Sequence, residues 1–326
     1  MKEKILELLK QSEDYVSGQQ ICELLSVSRT AVWKHINSLK EEGYVIEAVP
    51  NKGYKLMMDT MKLSKAGIAS DIKAEYIGRN LYVYDIIDST NNEAKKMAEN
   101  GACEGTLLVA DQQTAGKGRR GRSWDSPKNS GIFMTIVLRP DIAPDKAPTL
   151  TLVAAMAVRD AIYKTTNVMT QIKWPNDLVY EGKKLCGILT EMSAEIDCIH
   201  YVVSGIGINV NIHEFPDEIK DKATSVALVC GRDVKRNEIV AQFCNSFENY
   251  YEKFLKTGDM KLLIEEYNNG LVNLGKEVRV LDPAGEYSGI SAGINDNGEL
   301  IVKKEDGTVT EVMSGEVSVR GVYGYV

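Results

Sequence analysis

Along the first sixty residues the apolar positions recur first at helical spacing and then at strand spacing. Ile5, Leu6, Leu8 and Leu9 predict a helix that Ser12–Tyr15 interrupts, and Ser17 precedes a second helical run ending at Leu25. Ser26-Val27 turns the chain, and Ser28 is placed to cap a third helix over 29–39 whose inner face carries Ala31, Val32, Ile36 and Leu39. Arg29, Thr30, Trp33, Lys34 and Asn37 then share an outer face. Helix, short turn, capped helix is the helix-turn-helix pattern, in which the second of the pair enters the major groove. The runs 44–49 and 54–56 around Pro50-Asn-Lys-Gly53 predict a hairpin wing, and a polar connector over 57–65 follows.

Beyond the connector, strand-length and helix-length apolar runs alternate. Strands are expected at 81–87, 106–111, 132–138, within 171–180, at 185–192 and at 199–211. Helices are expected at 92–100, 147–165, 235–256 and 259–268. The helix over 147–165 is apolar nearly all round and must be buried. After Asn269-Gly270 only short strands remain, at 277–281, 287–294, 300–303, 309–312 and 316–319, separated by turns at Asp282-Pro, Asn297-Gly and Asp306-Gly. The expected fold class is therefore α+β and multidomain. It comprises a winged helix-turn-helix over 1–60, a central mixed α/β sheet domain over 61–270 and a small SH3-like β-barrel over 271–326.

Composition changes this picture only in part. A chain of 326 residues exceeds what one core usually serves, and 44% hydrophobic with 26% charged residues is ordinary for a globular protein. No apolar run approaches the ~20 residues of a membrane span, and Met-Lys-Glu-Lys-Ile leads straight into an amphipathic helix, so a cytoplasmic protein without membrane contact is expected. Six cysteines without a C-x-x-C suggest reduced, buried thiols. Three histidines leave little material for a zinc site or a histidine triad, so catalysis must rest on Lys, Arg, Asp and backbone amides. The first sixty residues hold eight Lys/Arg against nine Asp/Glu, so DNA affinity would be local to the third helix and wing and would call for two copies of the site.

One stretch reverses the formal net charge of −7: between Gly116 and Lys128 stand Lys117, Arg119, Arg120, Arg122 and Lys128 against Asp125 alone. Glycines at 116, 118 and 121 let the backbone approach a ligand, and amides beside guanidinium forks suit phosphate oxygens. The same residues fit G-x-G-x-x-G and, with Ser123, a P-loop carrying Arg122 where lysine belongs. Turn chemistry over 123–131 replaces the helix that either motif requires. A cationic loop for an anion remains, with a solvated basic loop as the plainer account. Ser89 and Thr90, at a strand-to-helix switch, serve equally as N-cap or ligand seat. Lys173, Lys184 and Asp177 flank sharp turns, where snorkelling lysines and turn-forming Asn/Asp explain them on pattern alone. Glycines inside Gly205-Ile-Gly207-Ile-Asn209 point to close backbone approach by a ligand or partner.

Taken together, Asp88-Ser-Thr-Asn91, Gln113 through Trp124, Lys173-Trp-Pro-Asn-Asp177, Lys184-Leu-Cys-Gly187 and Gly205–Asn209 resemble the motif series of biotin protein ligases. The second and third blocks are the specific ones. The N-terminal unit resembles the class that doubles as the biotin-operon repressor, so the likeness spans the chain. One departure is Lys117, where the family loop often carries arginine; lysine keeps the charge and loses the planar fork.

The resemblance implies biotin and ATP with Mg²⁺, formation of biotinyl-5′-AMP, and transfer to a lysine of a biotin carboxyl carrier protein. It also implies operator DNA and a ligand-promoted homodimer as partners. It assigns biotin to Ser89, Thr90, Asn91, Gln113, Lys117, Gly118, Arg119, Lys184, Gly187 and Gly205. It assigns the nucleotide to Arg119, Arg120, Arg122, Trp124, Asn176, Lys184, Gly207 and Asn209. Arg119, Lys184, Lys173 and Asp177 are its catalytic candidates, with Asp177 orienting either the incoming amine or metal-bound phosphates. Ser28, Arg29, Thr30, Trp33, Lys34 and Asn37 are its DNA-contacting candidates. No metal ligands are assigned. A lipoate or octanoate acyltransferase and a non-catalytic ligand-gated repressor are the alternatives.

Overall fold

The structure is a computed structural model that describes residues 1–282, 285–313 and 318–321, the last four as backbone only. Three helices, α1 (Lys2–Gln11), α2 (Gly18–Leu25) and α3 (Arg29–Glu41), open the chain. Ser17 accepts from the amide of Gln20 and Ser28 from that of Ala31, as their capping positions predict; each cap is worth about 1 kcal/mol. Val32, Ile36 and Leu39 of α3 are buried with Ile5, Leu6, Leu9 and Ile21, whereas Trp33 is 60% exposed. Strands β1 (Val45–Val49) and β2 (Gly53–Met58) pair antiparallel as the wing. The expected polar connector is shorter than 57–65, because β2 runs through Met58 and a short helix α4 (Lys65–Ala69), capped by Ser64, begins where it was to end.

The central region contains β3 (Leu81–Tyr84), α5 (Thr90–Glu99), β4 (Leu107–Ala110), β5 (Gly131–Leu138) and α6 (Leu150–Thr166). It continues through β6 (Gln171–Lys173), β7 (Asp177–Tyr180), β8 (Lys183–Ala194), β9 (Ile199–Asn209), α7 (Val226–Cys230), α8 (Arg236–Thr257) and α9 (Ile264–Gly270). The first strand is shorter than the expected 81–87, and residues 259–263 form turns rather than the start of a helix. One seven-stranded sheet results, in the order β3-β4-β5-β9-β8-β7-β6. Apolar side chains of α6 and α8 join one face of it in a single core. On the other face, Ala94 and Ala98 of α5 pack on Leu108, Val137, Tyr201 and Val203. Side chains alternate along a strand, so this second face continues past Val203 to Gly205 and Gly207 of β9, beside Gly187 of β8. Helix α5 reaches those glycines with Asn91, over Gly205, and beside it the sheet is hollow.

The C-terminal strands β10 (Glu277–Leu281), β11 (Tyr287–Ile294), β12 (Leu300–Lys303), β13 (Val309–Val312) and β14 (Ser318–Gly321) form an antiparallel sheet in the order β13-β12-β11-β10-β14. Among the described residues its outermost strands are β13 and β14, so the strands expected of the SH3-like barrel form a five-stranded sheet that those residues do not close. The expected turn at Asp282-Pro and the start of the strand at 316–319 lie outside the described residues. Val278, Val280, Leu300 and Val302 belong to the same core as α6 and α8. The Trp174 indole donates to the carbonyl of Gly298 at 3.0 Å, tying the β6–β7 turn to a C-terminal turn.

The N-terminal unit keeps its own core but is bolted to the centre by polar contacts. Lys10 reaches Asp71 at 2.6 Å and Ser70 at 3.0 Å, and Asn237 of α8 bonds both Ser64 and the carbonyl of Lys62. All six cysteines are free; Cys186 and Cys244 are buried as expected, but Cys103 and Cys198 are exposed.

Candidate active site

The hollow left by Gly187, Gly205 and Gly207 is the floor of a cavity of about 410 Å³. Three segments far apart in sequence form its walls. The first is the N-terminus of α5. Ser89 occupies the N-cap, yet its hydroxyl makes no capping bond and lies in the lining. Gln113 takes over that duty: its Oε1 accepts from the Thr90 amide at 2.8 Å and lies 3.0 Å from the Thr90 hydroxyl. Asn91 leans over Gly205, where any Cβ would come within 1.9 Å of its Oδ1. Its Nδ2 donates to Glu191 at 2.8 Å, and Glu191 is also paired with Lys95.

The second wall is the cationic loop, which closes on itself as a small hairpin. The amide of Gly118 donates to the carbonyl of Arg122 at 2.7 Å and that of Trp124 to Gly116 at 2.9 Å. No helix follows it, as the turn chemistry of 123–131 predicts. Arg120 sits at φ 57°, in left-handed space that a non-glycine residue rarely adopts. Arg119 is directed inward and donates to Asn176 Oδ1 at 2.7 Å. Burial pulls its guanidinium below the usual value, the charge of Asp177 opposes this, and Arg120 adds to it. Lys117 instead points along the rim to Asn92 at 2.9 Å. The Trp124 indole lies on the glycine floor: a Cβ on Gly207 would meet its ring at 2.6 Å and one on Gly187 at 2.9 Å. Its Nε1 is buried without a hydrogen-bond partner, a cost of about 1–3 kcal/mol that a ligand acceptor would remove.

The third wall is the β6–β7 turn with the start of β8. Lys184 pairs with Asp177 at 2.7 Å and stands 5.3 Å from the centre of the Trp124 ring. Asn176 donates to the same Asp177 oxygen at 3.1 Å. Lys173 is 6% exposed and lines the cavity beside them. Cys186, beneath this group, is fully buried; burial first and the Asp177 charge second push its thiol up, against Lys184, so it is no nucleophile at neutral pH.

The fold thus gathers into one lining Ser89, Thr90, Asn91, Gln113, Lys117, Gly118, Arg119, Arg120, Arg122 and Trp124 with Lys173, Asn176, Asp177, Lys184, Gly187, Gly205 and Gly207. Asn209 is not brought to the lining. Its Nδ2 donates to the carbonyl of Thr224 at 3.1 Å, and the 222–224 strap in turn pairs with the backbone of Lys184. Sequence reasoning also missed the pair that anchors the loop's base. Arg236, 2% exposed, meets Asp111 at 2.5 Å and the carbonyl of Gly131 at 3.0 Å; removing one partner of such a buried pair costs about 3–5 kcal/mol.

Comparison with known proteins places the chain in a family. Residues 83–209 match the model of the biotin/lipoate A/B protein ligase family, 2–55 an HTH domain and 274–320 the biotin protein ligase C-terminal domain. The chain is 42% identical to the bifunctional ligase/repressor BirA of Bacillus subtilis over 97% of its own length and 98% of that protein's.

The chain belongs to the biotin protein ligase family.

A second member of the family, the bifunctional ligase/repressor BirA of Escherichia coli, is 30% identical over 97% of this chain and 96% of its own. Among solved members, the biotin protein ligase of Aquifex aeolicus in complex with biotin and ATP is 32% identical with a TM-score of 0.65. That match covers 74% of this chain and 99% of the other. In the N-terminal unit, Ser28 at the N-cap of α3 and Arg29, Thr30, Trp33 and Lys34 within it are exposed, and Asn37 is half-buried. Their face is available to a duplex, as a helix-turn-helix member of the family requires. No helix among the described residues is long and apolar enough to cross a membrane.

Proposed function

We propose that the chain activates biotin with ATP and transfers it to a specific lysine of a biotin carboxyl carrier protein, and that the adenylate-bound form represses the biotin operon as a dimer. The carrying observation is the division of one cavity into a neutral polar end, at Thr90, Asn91 and Gln113, and a cationic end, at Arg119, Lys184 and Lys173. Such a cavity suits a ligand with an uncharged head and an anionic tail. In the first step the biotin carboxylate attacks the α-phosphate of ATP, forming the mixed anhydride biotinyl-5′-AMP and expelling pyrophosphate. In the second, a carrier lysine amine attacks the anhydride carbonyl and AMP leaves.

Both steps gather negative charge, so fixed cations supply most of the rate enhancement by holding and stabilising it. Ser89, Thr90, Asn91 and Gln113 seat the head, and Gly187 and Gly205 admit it to the floor. Lys117, Gly118 and Arg119 close over the carboxylate and phosphate. Trp124, Asn176, Arg120, Arg122 and Gly207 serve the nucleotide, with the unpartnered Trp124 N–H as a ready donor. Asn209 acts at one remove, through the 222–224 strap. Lys184 and Lys173 face the reacting phosphate, and Asp177 fixes Lys184 by their 2.7 Å pair.

Mg²⁺ enters with the nucleotide. Asp177 is the carboxylate among the described lining residues, and its Oδ1 is already bonded to Lys184 and Asn176. The other ligands would come from phosphate and water, as Mg²⁺ at phosphate sites prefers. The metal would supply charge neutralisation at the phosphates.

For repression, α3 and the wing of two copies would meet a palindromic operator. We further propose the division 1–60, 61–270 and 271–326, and a cytoplasmic location, which the free cysteines favour. Biotin-dependent pyrophosphate–ATP exchange followed by a streptavidin blot of an acceptor domain tests the enzyme. Exchange that follows lipoate or octanoate instead, or no exchange with any acid, would overturn it. A gel shift giving equal operator affinity with and without biotin plus ATP would remove the regulatory coupling.

A further inference from the structure

At the neutral end of the cavity the hydrogen-bond donors can be counted. Asn91 is held in one orientation because its Nδ2 faces the Glu191 carboxylate at 2.8 Å, which takes only donors. Its Oδ1 therefore faces Thr135, 2.7 Å away. Gln113 is fixed in the same way, its Oε1 accepting from the Thr90 amide at 2.8 Å. Three oxygen–oxygen contacts then link the residues: Thr135 to Asn91 at 2.7 Å, Thr135 to Thr90 at 2.8 Å and Thr90 to Gln113 at 3.0 Å. Two hydroxyl protons serve all three, because each threonine carries one. Whichever way they rotate, one close contact has no proton. The cluster is short of a donor, and the residues that border the cavity (Thr90, Asn91 and Gln113) present that deficit to the ligand.

Thr135 and Glu191 do not line this cavity. Thr135 is fully buried on β5, opposite Gly205 in the sheet register. Glu191 lies on β8, two residues along from Leu189, Gly205's other partner, and is held by Lys95 from α5. Neither residue is part of the cavity lining, yet their bonds hold the side chains of Asn91 and Thr90, which are.

We propose that Thr135 and Glu191, the latter steadied by Lys95, are positioning residues that make this end of the cavity an acceptor for N–H groups. The preferred head is a cyclic urea, with two N–H donors, rather than a dithiolane or a plain acyl chain, which have none. This rests on the biotin-activating reading above and deepens it. A site built to receive a donor rejects analogues lacking it more strongly than an apolar pocket rejects a change of size.

The test is calorimetric titration of the full chain with biotin, with lipoate and separately with ATP, for wild type, Thr135→Val, Thr135→Ser and Glu191→Gln. Thr135→Val keeps the shape and removes a hydroxyl. It is expected to weaken biotin about tenfold, the scale of one buried hydrogen bond, to leave ATP within about twofold, and to narrow the biotin-over-lipoate preference by the same factor. Thr135→Ser should restore all three. Biotin affinity unchanged in Thr135→Val, or a loss shared equally by ATP, would overturn the proposal, as would failure of serine to rescue. Should Thr135→Val not fold, Glu191→Gln and Lys95→Met decide: a raised KM for biotin at unchanged kcat supports it, and an unchanged KM refutes it. Wild-type protein without biotin-dependent pyrophosphate exchange would sink the functional reading itself. Exchange in wild type with an unperturbed Thr135→Val would sink this inference alone.

Discussion

The two ends of the cavity are built on opposite principles. At the head-group end the polar side chains are neutral or internally paired, each gripped by a neighbour before a ligand arrives: Gln113 by Thr90, Asn91 by Glu191, Glu191 by Lys95. At the phosphate end Arg119, on a hairpin whose backbone bonds run within 116–124, joins Lys173 and Lys184 of the third wall near Asp177, the one carboxylate among the described lining residues. A recognition site gains from rigidity, because fixed acceptors reject the wrong head. A reaction site for anions gains from concentrated charge, because the charge that develops in the transition state is what those cations stabilise. The glycine floor serves both ends, but each glycine has its own tenant: Asn91 over Gly205, and Trp124 over Gly207.

This contrast can be broken at either end. The largest effect is expected from Arg119→Gly, which leaves the head-group end intact. Pyrophosphate exchange should slow by about 100-fold or more, and the adenylate should escape and label bystander lysines, read by streptavidin blot of a protein mixture. Unchanged rate and selectivity would remove the role given to Arg119. Next, Gly205→Ala drives a methyl into Asn91 at 1.9 Å and should weaken biotin by about 100-fold by titration. Gly207→Ala, which displaces Trp124, should weaken ATP about tenfold and spare biotin. If the two glycines proved interchangeable in effect, the division of the cavity would be wrong.

A smaller effect is expected from Trp33→Ala on the exposed face of α3. Operator affinity should drop about tenfold in a gel shift with exchange activity untouched; a parallel loss of both would mean that the two regions are not separable. The smallest effect concerns pH. Burial pushes the Glu191 carboxyl up, but hydrogen bonds from Asn91 and Lys95 and the charges of Lys95 and Lys117 bring it below its ordinary value. A carboxyl depressed in the folded state stabilises the fold fully above its unfolded value and loses that contribution as pH falls through the folded one. The Tm difference between wild type and Glu191→Gln should therefore be constant near neutrality and shrink in acid below the ordinary carboxylate value of 4.5. A difference that grew on acidification would reverse the assignment.

Local chemistry made the phosphate end legible in sequence. Five basic residues spaced by glycine need no partner strand to declare themselves; at the head-group end, Ser89-Thr90 is marked by its place at a strand-to-helix switch. The four C-terminal strands from 277 to 312 fall where expected because glycine-containing turns bracket most of them. Helices α4 and α7, five residues each, are too short for periodicity to reveal. Thr135 and Glu191 were illegible for another reason. One is a lone hydroxyl in an apolar strand and the other an acid on a half-exposed strand, and only the pairing of β5, β9 and β8 brings them to Asn91. Asn209 stood in a motif that marks a ligand, whereas its side chain holds a strap. Trp174, conspicuous beside Lys173, also bonds a turn of the C-terminal sheet.

The central claim is that the hairpin of residues 116–124 closes over an activated acyl phosphate while the head is held at the other end. A crystal structure of the chain with biotin and a non-hydrolysable ATP analogue tests it most directly. The account predicts the ureido head against Thr90, Asn91 and Gln113, and the biotin carboxylate and α-phosphate within hydrogen-bond reach of Arg119 and Lys184. A hairpin turned into solvent and touching neither molecule, or a head group seated among the cations, would contradict it.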